Sequence, residues 1–525
     1  MPETAPQTPP RPRALLLLVF LAGCGAMATE IAASRLLAPY YGSSTVVWAN
    51  IIGLILASLA LGYWLGGRWA DKRPSARLLG FIVLAAAALI ALVPFVARPF
   101  LDLSVQALDT LSTGALIGSF FAALALFAPP VVLLGMVTPF AIRLAVRSVD
   151  DAGAVSGRVF ALSTAGSLLG TFVPALLTIP LVGTQRTLLG AAAVVALAGA
   201  LLLRRLWLLV PLGLTALLLL PPGTVKPQAG LLYERESRYQ FIQVVQEGGA
   251  HDLYLNEGHA IHSEWYPDTV LTGGEWDMFL VLPPLLGRPP ARVAILGNAG
   301  GTTSRAYGRF YPTAAIDGVE IDPGVVTAGN RYFGLRDNPR LHVVVADARP
   351  FLRASNERYD LICIDAYRQP YVPFYLTTRE FFREIRDHLA PDGIVALNVS
   401  TIPGDTSLAD GIAGTLACEF PQVLQWQALR FNQLVVGLAT PLSDAELAAA
   451  TRAAPTEVQP LTRLFAADAR PATASARPWT DDRAPVEWVT DRMIVVYAAE
   501  GASDSEQLLP TAPLTGGSAT PSAPE

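Results

Sequence analysis

Long apolar runs with few charges fill the first 220 residues of the chain. They cover residues 14–37, 46–66, 76–97, 115–134, 159–182, 187–203 and 206–220. A helix needs about 20 apolar residues to cross a bilayer, where it must satisfy its own backbone hydrogen bonds. Five of the runs reach that length, and the last two are shorter and flank Arg204 and Arg205. The pattern predicts a membrane domain of about seven helices over residues 14–221, and its repetition argues against a signal peptide at the first run.

Small residues and prolines predict how these helices pack and bend. Glycines at 62 and 66, and again at 166 and 170, have the spacing that lets two helix backbones approach closely. Prolines at 129, 130 and 139 should bend the fourth helix, because proline removes a backbone donor and its ring clashes with the preceding turn.

The composition changes to that of a soluble protein after a proline-rich linker at residues 222–230. The segments ESRYQFIQVVQE and HDLYLNEG, separated by Gly248 and Gly249, predict paired strands. The segment GGEWDMFLVLPPLL predicts a short helix. We therefore expect a small β domain with its linking helix at residues 231–285 and a larger α/β domain at residues 286–500. The flanking residues 1–13 and 501–525 have a low-complexity composition that predicts disorder.

Four apolar runs between Val293 and Asp365 alternate with segments that can form helices. Each run ends in a glycine or an acidic residue. This rhythm predicts a doubly wound parallel sheet whose ligand lies at the carboxyl ends of the strands. The later segment REFFREIRDHLAPDGIVALNVS adds an amphipathic helix, a turn at Asp392 and Gly393, and another strand.

The residues at these strand ends suit a nucleoside ligand. Glu320 ends the second strand about 20 residues after the glycine loop, the usual distance for a carboxylate that binds ribose hydroxyls. Asp347, followed by Ala348, ends the third strand within reach of an adenine, and Asp365 ends the fourth, where the reacting centre would lie. Acids that only cap helices or face water are the structural alternative. The loop after the first strand lets the backbone approach a ligand closely; its candidate residues are Gly297, Asn298, Gly300 and Gly301.

Taken together and in order, the motifs resemble the spermidine synthase (polyamine aminopropyltransferase) family, and more closely its branch fused to a multi-span membrane domain. The matching segments are SRYQFI, LNEGHAIHS, ILGNAGGT, VEIDP, ADAR, IDAY and TDDRAPVE. The resemblance implies a small β domain before a Rossmann-like domain, decarboxylated S-adenosylmethionine as the donor, and an amine as the acceptor. It also implies that Glu320 holds the ribose, Asp347 holds the adenine edge, and Asp365 is the catalytic acid/base.

Three positions depart from the pattern of that family. Its glycine loop usually carries an aspartate that meets the aminopropyl ammonium of the donor, and Ala299 stands there. The second acid of its D-x-x-D-P pattern is Arg368, and the tyrosine before its linking helix is Glu275. Binding of a nucleoside is therefore better supported than the identity of the transferred group.

Further residues are candidates for contacts with the substrates. Tyr239 and Gln240 match a YQ pair that, by the resemblance, walls the donor site, and ordinary strand packing is the alternative. His262 is either a substrate contact or an exposed loop histidine. After Asp365, an aromatic stretch would either enclose an amine by cation–π contacts or form a hydrophobic lid; it contains Tyr367, Gln369, Tyr371 and Tyr375.

Composition excludes two classes of partner. The formal net charge of -5 provides no basic footprint for nucleic acid. The 3 cysteines are too few and too scattered for a metal site, and no Cys/His cluster accompanies them. The expected partners are thus a small-molecule amine and the lipid bilayer, with a homo-oligomer left open.

Positive charges cluster in alternate loops of the apolar region, which predicts that those loops are all cytoplasmic. An odd number of spans would then place the soluble domain outside the cell, whereas adenosyl donors are made and used inside. We favour the argument from the donor and expect a multi-pass protein of the cell membrane with a cytoplasmic soluble domain.

Three functions remain open from the sequence. The first is a membrane-anchored aminopropyltransferase of polyamine biosynthesis. The second is a methyltransferase that uses S-adenosylmethionine, because the acid that would select an aminopropyl donor is absent at Ala299. The third is a non-catalytic membrane sensor or transporter that binds a nucleoside or a polyamine.

Overall fold

A computed structural model describes residues 12–41, 45–108, 114–203, 205–220, 223–256, 260–367 and 371–499. The chain divides into two compact units. The first comprises the described residues of Met1–Gln228, Glu234–Phe241 and Asn256–Gly258. The second comprises those of Ala229–Tyr233, Ile242–Leu255 and His259–Glu525. The main division between the units lies near Gln228, and a short segment around Tyr239 also belongs to the first unit.

The first unit is helical. Its helices are α1 (Pro12–Tyr41), α2 (Thr45–Lys72), α3 (Ala76–Leu108), α4 (Gly114–Leu126), α5 (Ala128–Gly135), α6 (Val137–Ala145), α7 (Ala152–Val173), α8 (Ile179–Val182), α9 (Thr184–Ala200) and α10 (Leu209–Leu217). A π-helical turn, Pro174–Thr178, joins α7 to α8, and a 3₁₀ turn, Arg205–Leu208, precedes α10.

Five helical stretches in the described part of the chain are long and apolar enough to cross a membrane, judged by length and composition. They are Arg13–Tyr41, Val47–Lys72, Ala76–Leu101, Ala128–Ala145 and Ala152–Val182. Three shorter apolar helices accompany them, namely Ile117–Leu126, Thr184–Ala200 and Arg205–Leu217.

The predicted fourth helix is divided into α4, α5 and α6 by single turn residues, Phe127 and Met136, shortly before Pro129 and Pro139. Both turn residues keep right-handed helical backbone angles. The physical reason is that proline lacks the N–H that would continue the helical hydrogen-bond ladder. The long apolar stretch is consequently Ala128–Ala145, displaced from the expected residues 115–134.

The predicted close approach of helices at glycines is confirmed. A Cβ atom added to Gly166 would lie 2.0 Å from the carbonyl oxygen of Phe20. One added to Gly62 would lie 2.3 Å from the carbonyl oxygen of Val132. Helix α7 thus packs backbone to backbone on α1, and α2 does so on α5.

A four-stranded sheet in the order β1-β2-β3-β4 follows the helices. Its strands are β1 (Leu231–Glu236), β2 (Phe241–Glu247), β3 (Ala250–Leu255) and β4 (Ile261–Trp265). β2 and β3 form the predicted hairpin, with Gly248 and Gly249 at its turn. A 3₁₀ helix, Glu275–Val281, and α11 (Leu282–Leu285) then lead into the larger sheet, as the sequence predicted.

An eight-stranded sheet in the order β12-β10-β11-β9-β8-β5-β6-β7 forms the centre of the second unit. Its strands are β5 (Arg292–Leu296), β6 (Ala315–Glu320), β7 (Leu341–Val345), β8 (Tyr359–Ile364), β9 (Leu389–Ser400), β10 (Gln422–Leu429), β11 (Asn432–Leu438) and β12 (Arg470–Pro471). The first five are parallel, and β11 returns antiparallel to β9.

Helices cover both faces of this sheet, which makes it Rossmann-like. They are α12 (Thr302–Phe310), α13 (Pro323–Tyr332), α14 (Ala348–Ala354), α15 (Arg379–His388), α16 (Ser407–Leu416), α17 (Asp444–Ala453), α18 (Gln459–Asp468) and α19 (Val486–Ala499). One face buries Phe381 and Phe382 and the other buries Phe279 and Trp426. The strand order reverses between β5 and β8, and in such sheets ligands bind outside the carboxyl ends of the strands at that point.

The predicted turn at Asp392 and Gly393 is wrong. Both residues lie inside β9, where the pairing with β8 jumps from Tyr359–Leu389 to Leu361–Ile394. The Asp-Gly pair therefore forms an irregularity in the strand instead of a turn. Asp392 is held there by Arg288, whose Nη2 lies 2.9 Å from Oδ1 of Asp392.

Candidate functional site

The carboxyl ends of β5 and β8 meet at the glycine loop. Gly297 has a φ of 91°, and a Cβ atom there would lie 2.3 Å from the carbonyl oxygen of Asp365. The backbone N–H of Asp365 also donates to the carbonyl oxygen of Leu296 at 2.8 Å. Only glycine fits at 297, and the loop is in backbone contact with the segment that carries the expected catalytic acid.

Hydrogen bonds from two sides fix the rest of the loop. The N–H of Ala299, which has a φ of 44°, donates to Oε2 of Glu320 at 3.0 Å. The N–H of Gly300 donates to Oγ of Ser263, on β4, at 2.8 Å. Gly301 then begins α12 from a left-handed conformation, so that the loop leads directly into a helix N-terminus.

Asn298 has a buried amide without a partner. The residue is 4% exposed, and neither Oδ1 nor Nδ2 makes a hydrogen bond within the described residues. Buried polar groups are almost always hydrogen-bonded in folded proteins, because an unpaired one costs free energy. The amide is therefore available to a ligand held by the loop.

Glu320 lies beneath the loop at the end of β6. Its Oε1 accepts from the N–H of Asp322 at 2.9 Å, and its Oε2 accepts from Ala299. Burial raises the pKa of this carboxyl to about 7, with the charge of Asp322 adding to the rise and the backbone hydrogen bonds opposing it. Each oxygen keeps a lone pair, so the group can still accept from ribose hydroxyls.

Asp347 has the helix-capping role that the sequence gave as the alternative to an adenine contact, and it also accepts a hydrogen bond from a tyrosine. Its Oδ1 accepts from the N–H of Arg349 at 3.1 Å and so caps α14, which begins with the buried Ala348. Its Oδ2 accepts from Oη of Tyr375 at 2.8 Å. Tyr375, a candidate for the acceptor enclosure, thus binds the carboxylate expected at the adenine.

Asp365 is partly buried just past the end of β8. Burial raises the pKa of its carboxyl to about 6, and a hydrogen bond from Asn398 opposes the rise. Nδ2 of Asn398 donates to Oδ1 of Asp365 at 2.9 Å, and Nδ2 of Asn432 donates to Oδ1 of Asn398 at 3.0 Å. Sequence reasoning missed Asn398, although a polar residue inside the apolar run IVALNVS was a usable signal.

The aromatic residues after Asp365 are anchored to the protein. Oη of Tyr367 donates to the carbonyl oxygen of Asn398 at 3.0 Å and accepts from the N–H of Ser400 at 2.8 Å. Oη of Tyr371 donates to Asp491 of α19. The hydroxyl of Tyr367 is thus engaged, and its ring is the part left for a substrate contact. Arg368 and Gln369 lie outside the described residues.

The remaining candidates lie on the small sheet and near it. His262 is partly buried on β4, beside the residue that binds the glycine loop, rather than in an exposed loop. Tyr239 and Gln240 belong to the first unit, where Oγ of Ser237 accepts from both of their N–H groups at 3.0 Å.

An ion-pair cluster around the buried Arg349 holds the segment that carries Tyr375. Arg349 donates to Glu384 at 2.8 Å, to Asp481 at 2.7 Å and to the carbonyl oxygen of Tyr375 at 3.0 Å. Asp481 also accepts from Oγ1 of Thr378 at 2.6 Å. The hydrogen bond from Arg349 to the carbonyl oxygen of Tyr375 thus fixes the position of Tyr375 next to Asp347.

Comparison with known proteins shows which protein family this part of the chain resembles. Residues 277–408 match the model of the spermine/spermidine synthase domain. A probable polyamine aminopropyl transferase of Bifidobacterium longum is 34% identical over 195 residues, which cover 37% of this chain and 43% of that protein. A polyamine aminopropyltransferase of Vibrio vulnificus is 30% identical over 178 residues, which cover 33% of this chain and 60% of that protein. The chain thus spans about half the length of these two relatives.

A more distant relative is a methyltransferase. The human eEF1A lysine and N-terminal methyltransferase is 26% identical over 151 residues, which cover 26% of this chain and 21% of that protein. The matched family segment, residues 277–408, contains the glycine loop, Glu320, Asp347, Asp365 and Asn398.

Proposed function

Because the carboxyl-terminal part of the chain contains a spermine/spermidine synthase domain, we propose that the protein transfers an aminopropyl group from decarboxylated S-adenosylmethionine to an amine. The observation that carries the proposal is the backbone contact between Gly297 and Asp365. A nucleoside bound by the loop, Glu320 and Asp347 would have its sulfonium end next to Asp365.

The residues of the chain supply proton transfer and positioning. The acceptor amine is an ammonium at neutral pH and must lose a proton before its nitrogen can attack. The carboxylate of Asp365 takes that proton and holds the nitrogen in line with the carbon next to the sulfonium. The C–N bond then forms while the C–S bond breaks, and its electron pair leaves on sulfur. Methylthioadenosine is a neutral leaving group, so no acid is needed at the sulfur.

The donor pocket fits an adenosyl group by its chemistry. The unpartnered amide of Asn298 and the lone pairs of Glu320 offer hydrogen bonds to the nucleoside. Ala299 offers no charge to the aminopropyl ammonium, so selection of the decarboxylated donor must come from other residues of the site. A methyltransferase remains the alternative for this reason.

We further propose that the first unit anchors the enzyme in the cell membrane with the second unit in the cytoplasm. The support is the set of five long apolar helices, together with the supply of adenosyl donors inside the cell. The acceptor amine and the lipid bilayer are thus the two partners we expect.

One experiment tests the proposed activity. The purified full-length chain is incubated with decarboxylated or intact S-adenosylmethionine and a panel of amines, and the products are identified by mass spectrometry. Methylthioadenosine with an aminopropylated amine supports the proposal, and Asp365→Asn should lower that turnover by about 10²–10⁴ while nucleoside binding persists. Methylated product from the intact donor, or binding without any turnover, would favour one of the alternatives.

A further inference from the structure

The hydrogen bond between Tyr375 and Asp347 joins two distant strand ends of the large sheet. Tyr375 lies in the segment after β8, and Asp347 follows β7. Two strands, β5 and β6, lie between β8 and β7 in the sheet. Even so, Oη of Tyr375 lies 2.8 Å from Oδ2 of Asp347. The segment after β8 thus reaches past the strand ends that carry the glycine loop and Glu320.

Asp347 is placed for the base of a nucleoside whose ribose is held by Glu320. Glu320 lies opposite Val345 in the ladder of β6 and β7, and the N–H of Ala346 donates to the carbonyl oxygen of Glu320 at 3.1 Å. Neighbouring strands are only about 4.8 Å apart. A base attached to that ribose is therefore within reach of the next strand end, where Asp347 and Tyr375 are both partly exposed.

The hydrogen bond between the two side chains has only one possible direction. A carboxylate only accepts, so the hydroxyl of Tyr375 donates its single proton to Asp347. The base wall, which we define as the carboxylate of Asp347 and the hydroxyl of Tyr375, therefore offers a ligand oxygen lone pairs and no donor. The exocyclic amino group of adenine carries N–H donors that match this wall. The 6-oxo group of hypoxanthine would face it lone pair to lone pair.

Arg349 fixes both members of the base wall. Its N–H donates to Oδ1 of Asp347 at 3.1 Å, and its Nη1 donates to the carbonyl oxygen of Tyr375 at 3.0 Å. The side chain of Arg349 is 7% exposed and forms ion pairs with Glu384 and Asp481. Each oxygen of Asp347 thus already has a donor from the protein. The fold therefore sets the direction of the Tyr375 hydroxyl before a ligand arrives.

Resting on the proposed function, we propose that Tyr375 is a specificity-determining residue that selects a 6-amino purine in the donor. Because it donates its O–H to Asp347, it leaves the base wall without a donor and holds the carboxylate in place. The amino group of adenine donates to this wall. A 6-oxo purine is rejected, because a site built to accept hydrogen bonds discriminates against a ligand that lacks the matching donor.

Calorimetry on the full-length chain measures this selection without turnover. The two probes are methylthioadenosine and methylthioinosine, in which a 6-oxo group and an N1–H replace the 6-amino group. Wild type should bind methylthioadenosine about 10- to 100-fold more tightly, the range expected for a hydrogen bond to a charged group.

Asp347→Asn tests the direction of the hydrogen bond. The amide oxygen should keep the cap on the N–H of Arg349, so the amide N–H₂ takes the position of Oδ2. It then donates to Oη of Tyr375, whose O–H turns to the base. Because the base wall now offers donors, affinity for methylthioinosine should rise about 10-fold while affinity for methylthioadenosine falls by a similar factor. A purely structural role would weaken the binding of both nucleosides equally.

Tyr375→Phe removes the hydroxyl and keeps the ring. The preference for methylthioadenosine should fall by about 5- to 10-fold, since the carboxylate loses its support. Asp347→Asn should raise methylthioinosine affinity less in this background, because the O–H that would turn to the base is absent. Tyr359→Phe is the matched control, since Oη of Tyr359 donates to Oδ2 of Asp317 at 3.0 Å near the amino ends of β8 and β6. It should bind both nucleosides as wild type does.

Two results overturn the proposal. One is equal affinity of wild type for the two nucleosides, and the other is a preference that Tyr375→Phe leaves unchanged. Either result together with aminopropyl transfer would reject the role of Tyr375 and keep the transferase. Selection of methylthioadenosine without transfer from any donor would keep the role of Tyr375 and reject the transferase. Absence of binding of both nucleosides to wild type would reject the donor site and this proposal together.

Discussion

Asn398 donates a hydrogen bond of 2.9 Å from Nδ2 to Oδ1 of Asp365. Asn432 donates in turn to Oδ1 of Asn398 at 3.0 Å, which fixes the orientation of the amide so that its N–H₂ faces the carboxylate. The bond favours the ionised form of Asp365 and therefore opposes the effect of burial on its pKa.

Asn398→Ala should move the pH dependence of turnover to higher pH. Removal of the donor raises the pKa of Asp365, because the hydrogen bond to the ionised form is what lowers it. Turnover of the variant should fall at neutral pH and recover at alkaline pH, where the carboxylate ionises again. Profiles of kcat/KM from about pH 5.5 to about pH 9 measure the shift. An acid limb at the same pH in variant and wild type would contradict the role of Asn398.

Glu320→Ala should weaken binding of methylthioadenosine by about 1.5–3 kcal/mol, the value of hydrogen bonds to a charged group. The loss combines the ribose contacts with the support that Oε2 gives to the N–H of Ala299. Calorimetry on the full-length chain provides the affinity. Glu320→Gln keeps one acceptor oxygen near the loop, so it should lose less affinity. Unchanged affinity in the alanine variant would remove Glu320 from the nucleoside site.

Gly297→Ala should damage both stability and nucleoside binding. The added Cβ would lie 2.3 Å from the carbonyl oxygen of Asp365, in addition to the strain of a positive φ. Gly287→Ala is the matched control, because Gly287 also has a positive φ, 65°, but an added Cβ has no heavy atom within 4 Å. The control isolates the conformational strain, about 1–2 kcal/mol. Thermal unfolding should show a larger loss for Gly297→Ala, and equal losses would mean that the two backbones do not touch.

The chain should stay in the membrane fraction after a carbonate wash, because several helices exceed the spanning length. Single cysteines at Pro74→Cys and Lys226→Cys, in a background without Cys24, Cys363 and Cys418, report sidedness by labelling with an impermeant reagent. Both positions should be labelled from the cytoplasmic side. Labelling of Lys226→Cys from outside would place the second unit outside the cell.

The strand-end acids were predictable because their positions follow from pattern alone. In a parallel sheet every strand ends at the same edge, so an apolar run that closes on an acid marks the ligand side, as at Glu320 and Asp365. Asn398 was not predictable by this rule, since it lies within an apolar run. It meets Asp365 only through the pairing of β8 with β9, in which Ile364 lies opposite Leu397.

Contacts made by irregular segments could not be predicted from the sequence either. The hydrogen bond between Tyr375 and Asp347 depends on the path of a loop, and Arg349 fixes that path by donating to the carbonyl oxygen of Tyr375. In the helical unit the apolar lengths were visible, but the pattern does not show which residue before a proline forms the turn, here Phe127.

Ala299 keeps a left-handed backbone with a φ of 44°. Among residues with a side chain, asparagine and aspartate are the ones that enter this conformation most readily. The loop therefore already has the shape that suits an acidic residue, although the chain does not supply one. For protein engineering, an aspartate at position 299 would match the backbone conformation that the loop already has. Under the proposed function, a single codon change at this position would alter the preference for the donor.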